Sequence, residues 1–338
     1  MEIDVLKQVT DIVCHDNCSD GTLSAILLLD ALPGARVHFC SYGLAQEKLE
    51  AREGMLFCDF SPHADTCQRF LDAGAVVLDH HRTAASIVAK FGDRGVFADE
   101  NIEPGVSGAV LAYRHVWLPL KQEQWRQYKG PLAAVTADLR NQERQQAETL
   151  SRLIGIRDTW QKNDPDWEQA CALAEGLRFF GQENWLTILE PFAADRGDFW
   201  KARIGVGSRL VEKHAETLQR LAKGAYRFTS HKGTRVVMFQ GVSFTSDACE
   251  LVRKGNEADL VVGFDHFPME GGQAPLVFST RATGDTFDCA GFCKAQGGGG
   301  HTKAAGFSIR FDPAVGTQDP YSLLRARLKA YEASAVAA

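Results

Sequence analysis

A carboxylate and two imidazoles stand in a row at Asp79-His80-His81, directly after the apolar run Ala75-Val76-Val77-Leu78. Divalent metal ions and hydrolytic water need groups of this type on a rigid edge, and the strand ends of open α/β sheets are where such sites gather. Taken alone, the triplet reads equally as a polar turn. Other groups occupy comparable places: His15 follows Ile12-Val13-Cys14, Asp59 follows Met55-Leu56-Phe57-Cys58, and Asp20 lies in the turn leading into Gly21-Thr22-Leu23-Ser24. In a parallel sheet those strand ends share one edge, so His15, Asp20, Asp59 and His80 can converge on one crevice. A mixed imidazole and carboxylate set suits Mn²⁺, Fe²⁺ or Zn²⁺, and its acid content tilts it toward manganese. Each residue also has a blander role: Asp59 as a turn residue, Asp20 as a helix cap, His15 as an ordinary hydrogen-bonding side chain. Coincidence at three strand ends is what argues for a site.

The elements that must position these groups are legible in outline. Short β-like runs at 12–14, 37–40, 55–58 and 75–78 alternate with amphipathic stretches, which predicts a mostly parallel sheet flanked by helices. Ser61 as N-cap, Pro62 at the first helical position and Gly74 beyond the end predict a crossover helix from Pro62 to Ala73. From Gly108 to about Phe192 the pattern is largely helical. Ile204, Leu210, Val211, His214, Leu218 and Leu221 then recur at near-helical spacing, which predicts a connecting helix. After Gly224 the pattern resets, with strand-like runs at 235–239, 260–264 and 276–279 and a helix from Ser246 to about Lys254. This predicts a smaller mixed α/β domain. The tail from Ala333 is expected to fray.

With 338 residues, 45% hydrophobic and 24% charged, the chain can build two ordinary cores. A net charge of -6 argues against gripping long nucleic acid by its phosphate backbone, which needs a basic surface. Nine cysteines, scattered singly without a C-x-x-C, read as reduced thiols in a cytoplasmic protein. No basic leader and no bilayer-length apolar stretch is apparent, so neither export nor a membrane anchor is expected. The oligomeric state is left open, a homodimer included.

These residues resemble the motifs of the DHH phosphoesterase family. His15 to Gly21 looks like its first motif, Phe57-Cys58-Asp59 its second, Asp79-His80-His81 its third and Ile156-Arg157-Asp158-Thr159-Trp160 its fourth. Ser107 to Tyr113 resembles a family segment between the third and fourth. Gly297-Gly298-Gly299-Gly300-His301-Thr302-Lys303-Ala304-Ala305-Gly306-Phe307 is similar to the signature of the DHH-associated domain of the first subfamily, whose members act as oligoribonucleases, phosphoadenosine phosphate phosphatases and cyclic dinucleotide phosphodiesterases.

The resemblance implies a catalytic DHH domain over 1–195, a connecting helix over 196–223 and a substrate-binding domain over 224–338, with the active site in the cleft between the domains. It makes His15, Asp20, Asp59, His80 and Asp158 metal ligands for one or two Mn²⁺ ions, with Mg²⁺ or another divalent metal as the alternative. Asp79 would orient the site and His81 would lie near the scissile phosphate, the catalytic set being Asp79, His80 and His81. Asp138 is a rival for Asp158, less favoured because Trp160 follows Asp158 at the family spacing. Arg281, Gly299, Gly300 and His301 would bind a terminal phosphate or nucleotide. The glycine run brings backbone N–H groups close to phosphate oxygens, although such runs are usually flexible loops.

One departure stands out. Many members place two aspartates after the first histidine, whereas this chain has His15-Asp16-Asn17-Cys18-Ser19-Asp20-Gly21. Asn17, Cys18 or Ser19 takes the place of the missing ligand. The reading favours a weakened or altered second metal position over a thiolate from Cys18 or an inward swing of Asp16.

The function expected is hydrolysis of phosphodiester or phosphomonoester bonds in short oligonucleotides or small (di)nucleotides by metal-activated water. The rivals are a single-strand-specific exonuclease on longer DNA or RNA, and a nucleotide-binding protein with weakened catalysis. The acidic balance favours a pocket that reads an end over a groove that tracks a strand.

Overall fold

In the computed structural model the described residues are 2–41, 49–99, 101–127, 133–242, 245–254, 257–266, 274–285, 287–311 and 319–334. They form two compact units, 1–212 and 213–338.

The first unit is built on a parallel sheet of β1 (Asp11–His15), β2 (Arg36–Cys40), β3 (Met55–Cys58), β4 (Val76–Asp79) and β5 (Gly95–Phe97), in the order β2-β1-β3-β4-β5. All neighbours run parallel. β3 and β4 are buried at every position, which is why they read as unbroken apolar runs rather than alternating ones. Ile12, Cys14, Leu56, Cys58, Val76 and Leu78 face one core, and Val13, Phe57 and Val77 face the other with Phe60, Phe70 and Phe91. The first core also takes residues from α1 (Ser19–Ala31), α3 (Gly108–Ala112), α4 (Ala133–Asp158) and α5 (Trp167–Phe180).

The crossover helix between β3 and β4 is shorter than its sequence signals imply. α2 spans Cys67–Asp72, so Pro62 is not its first residue and Ser61 is not its cap. The Ser61 hydroxyl instead donates to the Asp79 carboxylate (Oγ to Oδ2, 2.5 Å), and a buried charge outbids a helix end for that hydrogen bond.

α6 (Gly197–Gly224) crosses the boundary between the units at Glu212 and Lys213. Trp200 joins the first unit's core, while Leu218 and Leu221 pack against Val237, Val252 and Val261 of the second.

The second unit holds β6 (Tyr226–Thr229), β7 (Arg235–Gln240), β8 (Leu260–His266), β9 (Ala274–Ala282), β10 (Gly299–His301) and β11 (Ala304–Phe311), in the order β10-β11-β9-β8-β7-β6. Only β7 and β8 pair in parallel, joined through α7 (Thr245–Lys254). The opposite face packs Phe278, Phe307, Phe292, Leu324 and Leu328 with α8 (Cys289–Lys294) and α9 (Pro320–Ser334). Ala333 and Ser334, read from sequence as part of a fraying tail, close α9, and 335–338 lie outside the described residues. Among the described residues no helix is long and apolar enough to cross a membrane.

Candidate metal centre

The chain winds outward from β1 in both directions, to β2 on one side and β3 on the other. Strand order therefore reverses beside β1, and the crevice at the carboxyl ends of β1 and β3 is where an open sheet offers a site. His15 is the last residue of β1, Asp59 follows the last residue of β3, and Asp79 closes β4.

Each turn is shaped to deliver its side chain. After β1, Asn17 takes a left-handed conformation (φ 52°) that asparagine tolerates. Gly21 lies so close to β1 that a Cβ there would meet the His15 carbonyl oxygen at 2.2 Å. After β3, Asp59 itself is left-handed (φ 58°), and its amide donates to the Leu78 carbonyl. A Cβ on Gly108 would stand 2.3 Å from the Asp59 Cβ, so α3 can begin here only with glycine.

Asp20 caps no helix of its own. Its Oδ1 accepts from Ser107 Oγ (2.8 Å) and the Ala109 amide (2.8 Å), and its Oδ2 accepts from the Gly108 amide (2.7 Å). The carboxylate is thus held at the N-terminus of α3, and this is what the segment from Ser107 does for the site.

Three carboxylates converge on His80 Nε2: Asp59 Oδ1 at 3.1 Å, Asp20 Oδ2 at 3.5 Å and Asp158 Oδ2 at 3.5 Å. Asp20, Asp59 and His80 are buried, whereas the Asp158 side chain, at the end of α4, keeps 28% of its exposure. A Cβ on Gly155 would meet the Gly105 carbonyl oxygen at 2.0 Å, so this end of α4 lies directly on the loop that precedes α3. Asp138 sits twenty positions back along α4, about 30 Å at ~1.5 Å per residue, and is exposed.

Ligand-capable atoms of Asp20, His80 and Asp158, of Asp59, His80 and His81, and of His15, Cys18 and Asp59 form three groups, each within 4.8 Å. Asp59 belongs to two of them. Its Oδ2 is buried without a hydrogen-bond partner among the described residues, and His15 Nδ1 lies 4.0 Å away. A buried carboxylate oxygen left in that state is costly unless a cation takes it. Burial first, and then the charge of Asp20, push the Asp59 carboxyl well above its usual range. The donor set and the orphaned oxygen both fit a divalent metal.

Asp79 points elsewhere. Its Oδ1 accepts from the His81 amide (2.9 Å) and His81 Nδ1 (2.7 Å), and its Oδ2 from Ser61. Burial alone would raise its pKa, but the His81 charge and hydrogen bond outweigh burial and hold it down to about 2. Burial works against protonated His81 as well, yet Asp79 lifts that imidazole to about 9. His15 is taken down to about 4 by burial, then by the charge of His81. The crevice thus combines a cationic imidazole, His81, with a neutral donor, His15.

Gln182 was not evident from sequence. Its Nε2 donates to Asp16 Oδ1 (2.5 Å) and its Oε1 accepts from the Asn17 amide (2.9 Å), while Ser41 Oγ also reaches Asp16 (3.4 Å). Asp16 is therefore tied to these residues rather than swung toward Asp59.

In the second unit, β10 and β11 form a hairpin in which His301 pairs with Ala304, and Ala304 pairs across the next strand with Arg281. Direct antiparallel partners share a face, so His301 and Arg281 lie on one side about 10 Å apart, two strand spacings. Arg281 donates from Nε to Ser246 Oγ and from Nη1 to Ser279 Oγ and the Thr280 carbonyl, which leaves Nη2 without a bond among the described residues. Gly300, at φ 136°, has no room for a Cβ beside the Ala304 carbonyl, whereas Gly299 faces open space.

No family model and no curated protein matches the chain. Among solved structures, a DHH-domain protein described as a member of a family of ribosomal proteins superposes over 96% of this chain and 86% of its own, at 12% identity and a TM-score of 0.57. A pGpG-specific phosphodiesterase from Vibrio cholerae covers 96% of this chain and 99% of its own (13% identity, TM-score 0.37), and CDC45 from Entamoeba histolytica covers 97% of each (9%, 0.48). The first likeness establishes the fold, that of a DHH-domain protein; below a TM-score of 0.5 the other two add nothing to it.

Proposed function

We propose that this chain is a DHH-type phosphoesterase that hydrolyses short oligonucleotides or small nucleotides with a divalent metal. The observation that carries the proposal is the convergence of Asp20, Asp59 and Asp158 on His80, with the Asp59 Oδ2 oxygen buried and unpartnered among the described residues. His15, Asp20, Asp59, His80 and Asp158 would hold the metal, with manganese favoured by the oxygen-rich set. When bound, the metal supplies Lewis-acid polarisation of phosphoryl oxygen and activation of water.

The chain's own groups do the rest. His81, protonated because Asp79 faces its Nδ1, would donate from Nε2 to a phosphoryl oxygen and stabilise charge as it develops. Ser61 fixes the Asp79 carboxylate that keeps His81 charged and oriented. In the second unit Arg281 and His301, sharing a face beside the glycine hairpin, suit a phosphate group. The net charge of -6 favours recognition of a short or terminal substrate over tracking of a long strand.

The test is hydrolysis of dinucleotides and of oligonucleotides of increasing length in Mn²⁺, with Asp59→Asn as the control. Turnover that needs metal, falls with length and is lost in Asp59→Asn is the expected result. Undiminished rates on long strands would overturn the short-substrate assignment. Nucleotide binding without turnover would replace the enzyme by a binding protein.

A further inference from the structure

The departure in the first motif puts sulfur where an oxygen ligand is expected. Cys18 stands at the mouth of α1, and its Sγ, a His15 ring nitrogen and an Asp59 oxygen all lie within 4.8 Å of one another. Two neighbours in the motif are held by other contacts. Asp16 is bonded to Gln182 and Ser41, and the Asn17 amide is bonded to Gln182. Pointing independently to a ligand here is Asp59 Oδ2, on a side chain with 1% exposure, which has no hydrogen-bond partner among the described residues.

Resting on the metal-centre reading above, we propose that Cys18 is a thiolate ligand, and that with His15 and Asp59 it binds a borderline-soft divalent cation such as Zn²⁺ in preference to Mn²⁺ or Mg²⁺. A sulfur, an imidazole nitrogen and a carboxylate oxygen form the mixed set that zinc and cobalt accept, whereas magnesium and manganese, as harder ions, disfavour a thiolate. On binding, the thiol proton leaves to solvent and the sulfur lone pair enters the metal bond. The neighbouring set of Asp20, His80 and Asp158 lacks sulfur, so the two sets, which meet where Asp59 Oδ1 lies 3.1 Å from His80 Nε2, differ in metal preference. The first motif is then altered in its selectivity rather than emptied.

Cobalt reports the difference directly, because a thiolate on Co²⁺ gives a near-ultraviolet sulfur-to-metal charge-transfer band and carboxylates do not. The purified full chain is titrated with Co²⁺ and Zn²⁺, alongside Cys18→Ser, Cys18→Asp and His80→Ala, with circular dichroism to confirm that each folds. The expected result is a band in the wild-type protein and in His80→Ala that is lost in both Cys18 variants. Zn²⁺ affinity in Cys18→Ser should fall by at least the roughly 10–100-fold that losing even an outer partner of a ligand costs. Cys18→Asp should shift preference toward Mn²⁺.

Cobalt bound without the band, in a protein where His80→Ala still weakens Mn²⁺ binding, overturns the thiolate assignment and leaves the phosphoesterase reading intact. Absence of any metal binding, with no effect of His80→Ala, overturns both.

Discussion

The Asp79 carboxylate accepts three hydrogen bonds, from Ser61 Oγ, the His81 amide and His81 Nδ1, so it is ionised and oriented before any substrate arrives. Replacing it by asparagine keeps the shape but removes the charge that holds His81 protonated. Asp79→Asn should lower turnover by roughly 10²–10³-fold, the scale of losing one preorganised charge-stabilising group, with little change in metal content measured on the same sample. Asp11, at the opposite end of β1, makes a separate test. It is buried and receives Arg52, Arg36 and His38, and Arg52 foremost holds its carboxyl far below the usual range. A depressed carboxyl stabilises the fold above its unfolded value of about 3.9, and this contribution is lost as pH falls toward the folded value. Asp11→Asn should therefore cost about 2–3 kcal/mol at neutral pH, less than the ~3–5 of a fully buried pair because both arginines stay partly solvated. Its urea midpoint should also depend less on pH below 4 than that of the wild-type protein.

At the scale of elements, the site depends on backbones that touch. Gly108 lets α3 start against Asp59, and through Ser107 and the first amides of α3 the same helix start holds Asp20. Gly108→Ala should therefore move both proposed ligands. Calorimetry should give at least a tenfold loss of Mn²⁺ affinity, the lower end of what disturbing a ligand's support costs. Much of this was legible in the residues themselves. Met55 to Cys58 and Val76 to Leu78 announce buried strands, and Asp59 and Asp79 at their ends announce a polar edge. What misled was Ser61-Pro62, a helix-start signal overridden by the demand of Asp79 for a donor. β10 was hidden because Gly299 and Gly300 carry no side chains from which alternation can be read. Gln182 had no local signal, since its partner Asp16 is 166 residues away.

For the molecule as a whole, if the clustered carboxylates hold a cation as proposed, stability becomes conditional on metal. The crowding of Asp20, Asp59 and Asp158 is relieved when a divalent ion binds, so Mn²⁺ at a hundred times its Kd should add about 2.7 kcal/mol of stability. Differential scanning calorimetry should register this as a rise in melting temperature that a chelator reverses and Asp59→Asn abolishes. α6 carries Trp200 in one core and Leu218 in the other, so the melting of the second unit should be followed in the same scan.

The left-handed backbone of Asp59 has a consequence for how such a protein can be improved or lost. An aspartate held at φ 58° with an oxygen buried and unpartnered among the described residues is a poor choice for stability, and glycine would accept the same backbone without strain. A library of variants sorted only for heat resistance in the absence of metal would accordingly enrich substitutions at Asp59, and on the proposed function its winners would be inactive. Selection for durability and selection for catalysis pull this position in opposite directions, so only a screen that retains the metal and the substrate will keep it.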